Sequence, residues 1–266
     1  MKRVLTVQDL SCVGRCSLTV ALPVLSAMGV GASVLPTAIL STHTAFPDPE
    51  VVSLTEQMIP FADHWQKQGV RFDAISVGYL SDPEQAAAAL EIREKFGCDL
   101  ILDPVMGDHG RLYRRITPAH IRSMQALCAR AEVILPNLTE AAFLTGSEYR
   151  PDPEESYLEE LAWKLLALGA KNAIITGIRW SDGTIGWYWS DGTHQKLYRD
   201  VCVPRSFHGT GDLFAAVFTG NYVNQMPIPQ AAEKAARFVK ICVEATREES
   251  PFGVEFETQL PQLFAK

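Results

Sequence analysis

FHGTGDLFAAVFTG, residues 207–220, is the stretch on which the reading of this chain turns. Gly209 and Gly211 flank Thr210, a carboxylate follows at Asp212, and a run of small and apolar residues comes next. The pattern predicts a glycine turn that opens a helix, with Asp212 as its first or second residue. A helix N-terminus leaves backbone N–H groups unpaired and carries about half a positive charge. Glycines let such amides close on an anion with no side chain in the way. Gly209, Thr210 and Gly211 therefore read as a cradle for a phosphate. Asp212 reads as a base within reach of a hydroxyl beside that phosphate. The competing reading is a plain helix cap, since aspartate is common at helix starts. The stretch is not a Walker A loop, because no Gly-Lys-Ser/Thr occurs in the chain. It also lacks the third glycine and the early position of a dinucleotide fingerprint.

Outward from this stretch, short β-rich runs alternate with helical patterns. Strands are expected at residues 3–7, 32–37, 72–77, 100–102, 133–135 and 172–176. Helices are expected at 16–28, 51–67, 83–96, from about 118, at 156–168, at 211–223 and at 229–246. Residues 184–189 and 193–198 flank Ser190-Asp191-Gly192 and predict a hairpin. Repeated strand–helix units imply an α/β fold with a mainly parallel sheet covered on both faces. The proline-rich segment 149–155 reads as a surface loop rather than a linker, so one domain over 1–266 is expected.

In such folds ligands bind outside the carboxyl ends of the strands. Polar residues recur there: Asp9, then Thr42-His43-Thr44, Tyr79, Asp103, Asn137 with Glu140, and Thr176. That regularity predicts one composite site.

The totals narrow the class. The chain has 266 residues, 47% of them hydrophobic, and a formal net charge of -7. No basic face for nucleic acid or a membrane surface is expected from that balance. The six cysteines form no CxxC pair and no zinc-like spacing, which suits a reduced cytoplasmic protein with mostly buried thiols. Residues 17–40 carry no charge, but Pro23, Gly29, Gly31 and Pro36 interrupt them. A helix followed by a buried strand is expected there, not a membrane span.

GTGDLFAA together with the upstream NLTE (137–140) resembles the ribokinase-like small-molecule kinases, and more closely the pyridoxal and pyridoxamine kinases. RVLTVQ, LSTHT (40–44), VGYL (77–80), LDPVMGD (102–108) and LPNLTEAAFLTG (135–146) extend the likeness over nearly the whole chain, in the family's order. The resemblance implies a three-layer α/β/α sandwich with no separate lid domain. It implies transfer of the ATP γ-phosphoryl group to a 5′-hydroxymethyl group of a B6 vitamer. Asp212 would be the base, and the amides of residues 209–212 the anion hole. Asn137 and Glu140 would position Mg2+, with Asp103 beside metal and phosphates and Thr176 on the nucleotide. Asp9, His43, Thr44 and Tyr79 would face the vitamin ring. Residues 107–115 would form a flap over ATP, with Arg111, Arg114 and Arg115 near the triphosphate. A cytoplasmic homodimer is also implied.

The chain departs from the familiar pattern at Asp9, where serine is usual, and at Ala45-Phe46 in place of Gly-Tyr. A carboxylate at residue 9 would accept from the ring hydroxyl or pair with a protonated ring nitrogen or amine, which would favour pyridoxamine over pyridoxal, or a related pyrimidine. Two alternatives remain beside the main reading. One is a hydroxymethylpyrimidine kinase of thiamine synthesis, which shares the motifs. The other is a regulator that binds nucleotide or vitamer without turnover.

Overall fold

A computed structural model describes residues 1–264. In chain order the elements are β1 (Arg3–Ser11), α1 (Leu18–Ala27), β2 (Gly31–Leu40), β3 (Val51–Ser53), α2 (Thr55–Lys67), β4 (Ala74–Val77), α3 (Glu84–Phe96), β5 (Asp99–Leu102), β6 (Gly107–Asp108), β7 (Arg111–Leu112), α4 (Pro118–Cys128), β8 (Val133–Ile134), α5 (Leu138–Thr145), α6 (Glu155–Ala167), β9 (Ala173–Arg179), β10 (Thr184–Ser190), β11 (Gln195–Val201), α7 (Thr210–Val223) and α8 (Ile228–Ala245). A 3-10 helix follows at Glu257–Leu263.

Side chains alternate across each strand, and this alternation builds two cores. In β5, Leu100 and Leu102 enter one core with α2, α3, α4, α5 and α6, whereas Ile101 enters the other with α1, α7 and α8. Ile75 and Ala74 of β4 divide in the same way. Each fully buried Leu or Ile contributes about 1.5–3 kcal/mol relative to exposure. Burial on both faces is why the central strands are apolar runs.

The nine-stranded sheet has the order β11-β10-β9-β8-β5-β4-β1-β2-β3. The pairs from β2 through β1, β4, β5 and β8 to β9 are parallel. At the two ends of the sheet β3 pairs antiparallel with β2, and β10 pairs antiparallel with both β9 and β11. The sheet is thus mainly parallel with helices on both faces, and no separate lid is evident among the described residues. From β1 the chain first adds β2 on one side and then crosses to β4 on the other. That reversal opens a crevice above the carboxyl ends of β1 and β4.

Several expected boundaries move. The segment 51–67 is not one helix: Val51–Ser53 forms an edge strand and the helix starts at Thr55. Two adjacent β-branched valines and a free edge of β2 outweigh the helical spacing. The hairpin turn lies at 191–194 rather than 190–192, because Asp191 Oδ1 accepts from the N–H of Thr193 at 2.8 Å and of His194 at 2.6 Å. The uncharged run 17–40 resolves into α1 and β2, and no helix among the described residues is long and apolar enough to cross a membrane. Of the cysteines, Cys98, Cys128 and Cys242 are buried, Cys16 and Cys202 are partly buried, and Cys12 is exposed. Buried thiols are therefore fewer than expected.

Candidate active site

The glycine turn does open a helix. Gly209 takes φ 82 just before α7, a conformation that favours glycine, and a Cβ there would lie 2.0 Å from the Arg15 carbonyl oxygen. A Cβ on Gly211 would meet nothing within 4 Å, so this glycine borders open space. The Thr210 hydroxyl turns back to the Phe207 carbonyl at 3.2 Å. Among the described residues the N–H groups of Gly209, Thr210 and Gly211 have no backbone partner. Asp212 is the third residue of α7, one or two places later than expected.

The Asp212 carboxyl is raised to about 6, first by burial and then by the charge of Asp9. The N–H and hydroxyl of Ser17 oppose that rise. Ser17 precedes α1 with φ 47 and ψ -124, a strained backbone for a serine, and its side chain does not cap its own helix. No local sequence signal marked Ser17, because its importance comes from the approach of α1 to α7.

Asp9 lies inside β1 rather than after it. The β1–β2 register slips between Gln8 and Leu10, so Asp9 sits at an irregularity that re-aims its side chain. It is 4% exposed, accepts from Ser11 Oγ at 3.0 Å, and is raised by burial. Tyr79 follows β4, and its carbonyl accepts from the Thr37 hydroxyl at 3.0 Å. His43 and Thr44 lie on the loop after β2, as expected.

Asp103 follows β5, and burial first, then Glu140 and Asp212, push its carboxyl well up. Asn137 and Glu140 form a reciprocal cap on α5. Asn137 Oδ1 accepts from Glu140 N–H at 3.0 Å, and Glu140 Oε2 accepts from Asn137 N–H at 2.8 Å. The Thr139 hydroxyl accepts from Gly110 N–H at 2.9 Å and so holds the turn between β6 and β7. Glu140 Oε1 accepts from Met106 N–H at 3.0 Å, and Asn137 Nδ2 donates to the Gly107 carbonyl at 2.8 Å. Burial still raises Glu140, to about 8. The segment 107–115, expected as a flap, contains the small hairpin β6–β7. Just past β7, Arg114 pairs with Asp48 of the loop after β2 at 3.4 Å. Thr176 lies within β9 rather than at its end, but at the point where parallel pairing stops, with its N–H on the Pro136 carbonyl at 2.8 Å.

One cleft of about 1230 Å³ gathers Asp9, His43, Thr44, Tyr79, Asp103, Asn137, Glu140, Thr176 and residues 209–212 in its lining. Arg114 and Arg115 also line it. It continues into an apolar lobe bounded by Val203, Phe214, Val239 and Val243, with the Lys240–Asp200 pair at 2.8 Å on its wall. The sequence reading missed this lobe, because its parts are ordinary core residues until β9–β11 and α7–α8 come together. Asp103 and Glu140 form no salt bridge with any described residue, and no cluster of three metal-ligating side chains occurs among the described residues. Buried carboxylates without a cation fit a hard, oxygen-seeking ion whose remaining ligands are water and phosphate.

A parallel sheet with helices on both faces and an anion cradle over its switch-point crevice define a ribokinase-like small-molecule kinase. The chain belongs to the phosphomethylpyrimidine kinase family, whose model matches residues 22–255. It is 30% identical to a pyridoxine/pyridoxal/pyridoxamine kinase of Bordetella avium, over 92% of this chain and 85% of that one. A Bacteroides thetaiotaomicron protein assigned to the phosphomethylpyrimidine kinases and crystallised with pyridoxal is 34% identical, with TM-score 0.92 over 98% of this chain and 95% of that one. The pyridoxal kinase of Lactobacillus plantarum is 33% identical, with TM-score 0.92 over 99% of this chain and 96% of that one.

Proposed function

We propose that this kinase uses ATP to phosphorylate the 5′-hydroxymethyl group of a B6 vitamer, working as one domain and as a cytoplasmic homodimer. The observation that carries the proposal is the meeting, in one cleft, of unpaired helix-start amides, the buried Asp212 carboxyl, an apolar lobe on one side and Asp9, Thr44 and Tyr79 on the other. Pyridoxal in the Bacteroides structure and the vitamers named for the Bordetella relative support the choice of acceptor.

In this reading Asp212 accepts the proton of the acceptor hydroxyl as that oxygen attacks the γ-phosphorus. The amides of residues 209–212 receive the charge that develops on the transferred group. Thr176 and the apolar lobe hold the nucleotide. Asp103, with Glu140 and Asn137 behind it, would hold Mg2+, which supplies charge neutralisation on the phosphates. Asp9, Thr44 and Tyr79 face the ring, and the carboxylate of Asp9 selects an amine or a protonated ring nitrogen.

The test is kcat/KM for pyridoxal, pyridoxamine, pyridoxine and hydroxymethylpyrimidine, side by side, with ATP and magnesium. Turnover of the vitamers above the pyrimidine is expected, with pyridoxamine ahead. A clear preference for the pyrimidine transfers the assignment to thiamine synthesis, the reading that the family's description favours. Replacement of Asp9 by serine should erase the pyridoxamine advantage and leave pyridoxal turnover in place.

A further inference from the structure

Behind the acceptor side of the cleft, residues 250–254 run as a strap across the loops that build the site. The N–H of Arg15 donates to the Phe252 carbonyl at 2.7 Å, which ties down the loop between β1 and α1. The N–H of Val254 donates to the His208 carbonyl at 3.0 Å, which ties down the loop before α7. The acceptor loop after β2 is held by a side chain: His43 Nε2 lies 3.1 Å from the Pro251 carbonyl oxygen. The other ring nitrogen, Nδ1, accepts from the N–H of Ala45 at 3.2 Å. An amide N–H only donates, so Nδ1 carries the lone pair and Nε2 carries the proton. Both nitrogens are thus spent inside the protein, and His43 is 3% exposed.

The packing around this point admits only glycine at its closest approaches. A Cβ on Gly14 would lie 2.1 Å from the His43 ring. One on Gly253, at φ 97, would lie 2.9 Å from the His208 carbonyl oxygen and 3.0 Å from that of Arg15. The His43 ring also packs on His208 at 5.1 Å, and Phe46 on Phe252 at 6.0 Å.

We propose that His43 is a positioning residue that latches the acceptor loop to the C-terminal strap, and through the strap to the Gly209 cradle, without a ring nitrogen on the substrate. The latch sets the distance between acceptor hydroxyl and phosphate. It rests on the kinase reading only in taking Thr44 as the acceptor side and residues 209–212 as the phosphate side. A hydroxyl misplaced by an ångström loses in-line attack while the nucleotide still binds.

The experiment compares His43→Ala, His43→Gln, Gly253→Ala and the His43→Ala/Gly253→Ala double variant in the full chain. It measures kcat, KM for the acceptor, ATP affinity by calorimetry and the unfolding midpoint. His43→Ala should lose roughly tenfold to a hundredfold in kcat with ATP affinity unchanged. His43→Gln, which keeps an N–H toward Pro251, should recover most of that loss. Gly253→Ala should repeat the kinetic defect with His43 intact, and the double variant should lose little more than the worse single one, because both break one connection. If His43→Ala does not fold, His43→Asn, whose shorter side chain falls short of the Pro251 carbonyl, takes its place in the same cycle with Gly253→Ala. The latch is refuted if the losses multiply, if glutamine fares no better than alanine, or if Gly253→Ala behaves as wild type. Preference for a pyrimidine acceptor would overturn the vitamer reading alone, since the same cycle runs with that acceptor.

Discussion

At Asp212 the starts of α1 and α7 meet a pair of carboxyl groups. Burial and Asp9 raise its pKa to about 6, while Ser17 pulls it down. A base must be ionised, so kcat/KM should fall on an acid limb near pH 6, and a flat profile down to pH 5 would remove Asp212 from that role. Asp212→Asn should lower kcat by roughly 10²–10⁴. The same change should stabilise the protein in a pH-dependent way. A carboxyl whose folded pKa lies above its unfolded value holds its proton more tightly when folded. Its contribution is therefore full below about pH 4 and is lost as pH rises through about 6. Asp212→Asn should thus gain on the order of 2–3 kcal/mol at pH 8 and little at pH 4. Urea unfolding at the two pH values measures this. His43 and Asp212 were legible as site candidates because one follows a strand and the other opens a helix, and Asp9 because it is a lone carboxylate near the end of an apolar strand. Ser17 was not, since a serine at φ 47 has no signature in composition or spacing.

At the scale of elements, α5 and α7 carry the site in different ways. The start of α5 is closed by its own side chains, Asn137 and Glu140, which also fasten Met106 and Gly107 at the base of the β6–β7 hairpin. Asn137→Ala should cost about 1–2 kcal/mol in unfolding free energy, read as a lower denaturant midpoint at unchanged slope. The start of α7 is left open, and its amides face the cleft. Gly209→Ala adds a Cβ against the Arg15 carbonyl at a φ of 82. It should cost about 1–3 kcal/mol and lower kcat, whereas a fully active alanine variant would mean that the turn is not a cradle. Elements with clear internal periodicity, such as α6 and α8, were legible within a residue or two. The split of β3 from α2, and the hairpin β6–β7, were not. Both depend on a partner strand that spacing along one segment does not reveal.

On the scale of the whole molecule, the cleft draws on residues from Asp9 to Val243, so binding and stability are linked. Saturation with ATP and magnesium at about 100 times Kd should add roughly 2.7 kcal/mol. Thermal unfolding with and without nucleotide checks this, and no rise in midpoint would remove ATP from the cleft. The sequence by itself determined the strand–helix alternation, the mainly parallel sheet, the glycine turn at 209–211 and the polar residues that follow β2, β4, β5 and β8. These follow from local rules of period, turn chemistry and helix ends, each readable within a few neighbouring positions. Tertiary structure alone decided the apolar lobe between β9–β11 and α7–α8, the two-ended bonding of His43 and the facing of Asp9 on Asp212. Those depend on groups as far as 208 positions apart in the chain coming together. Contact at that separation is set by how the layers pack, and no stretch of the chain carries it alone.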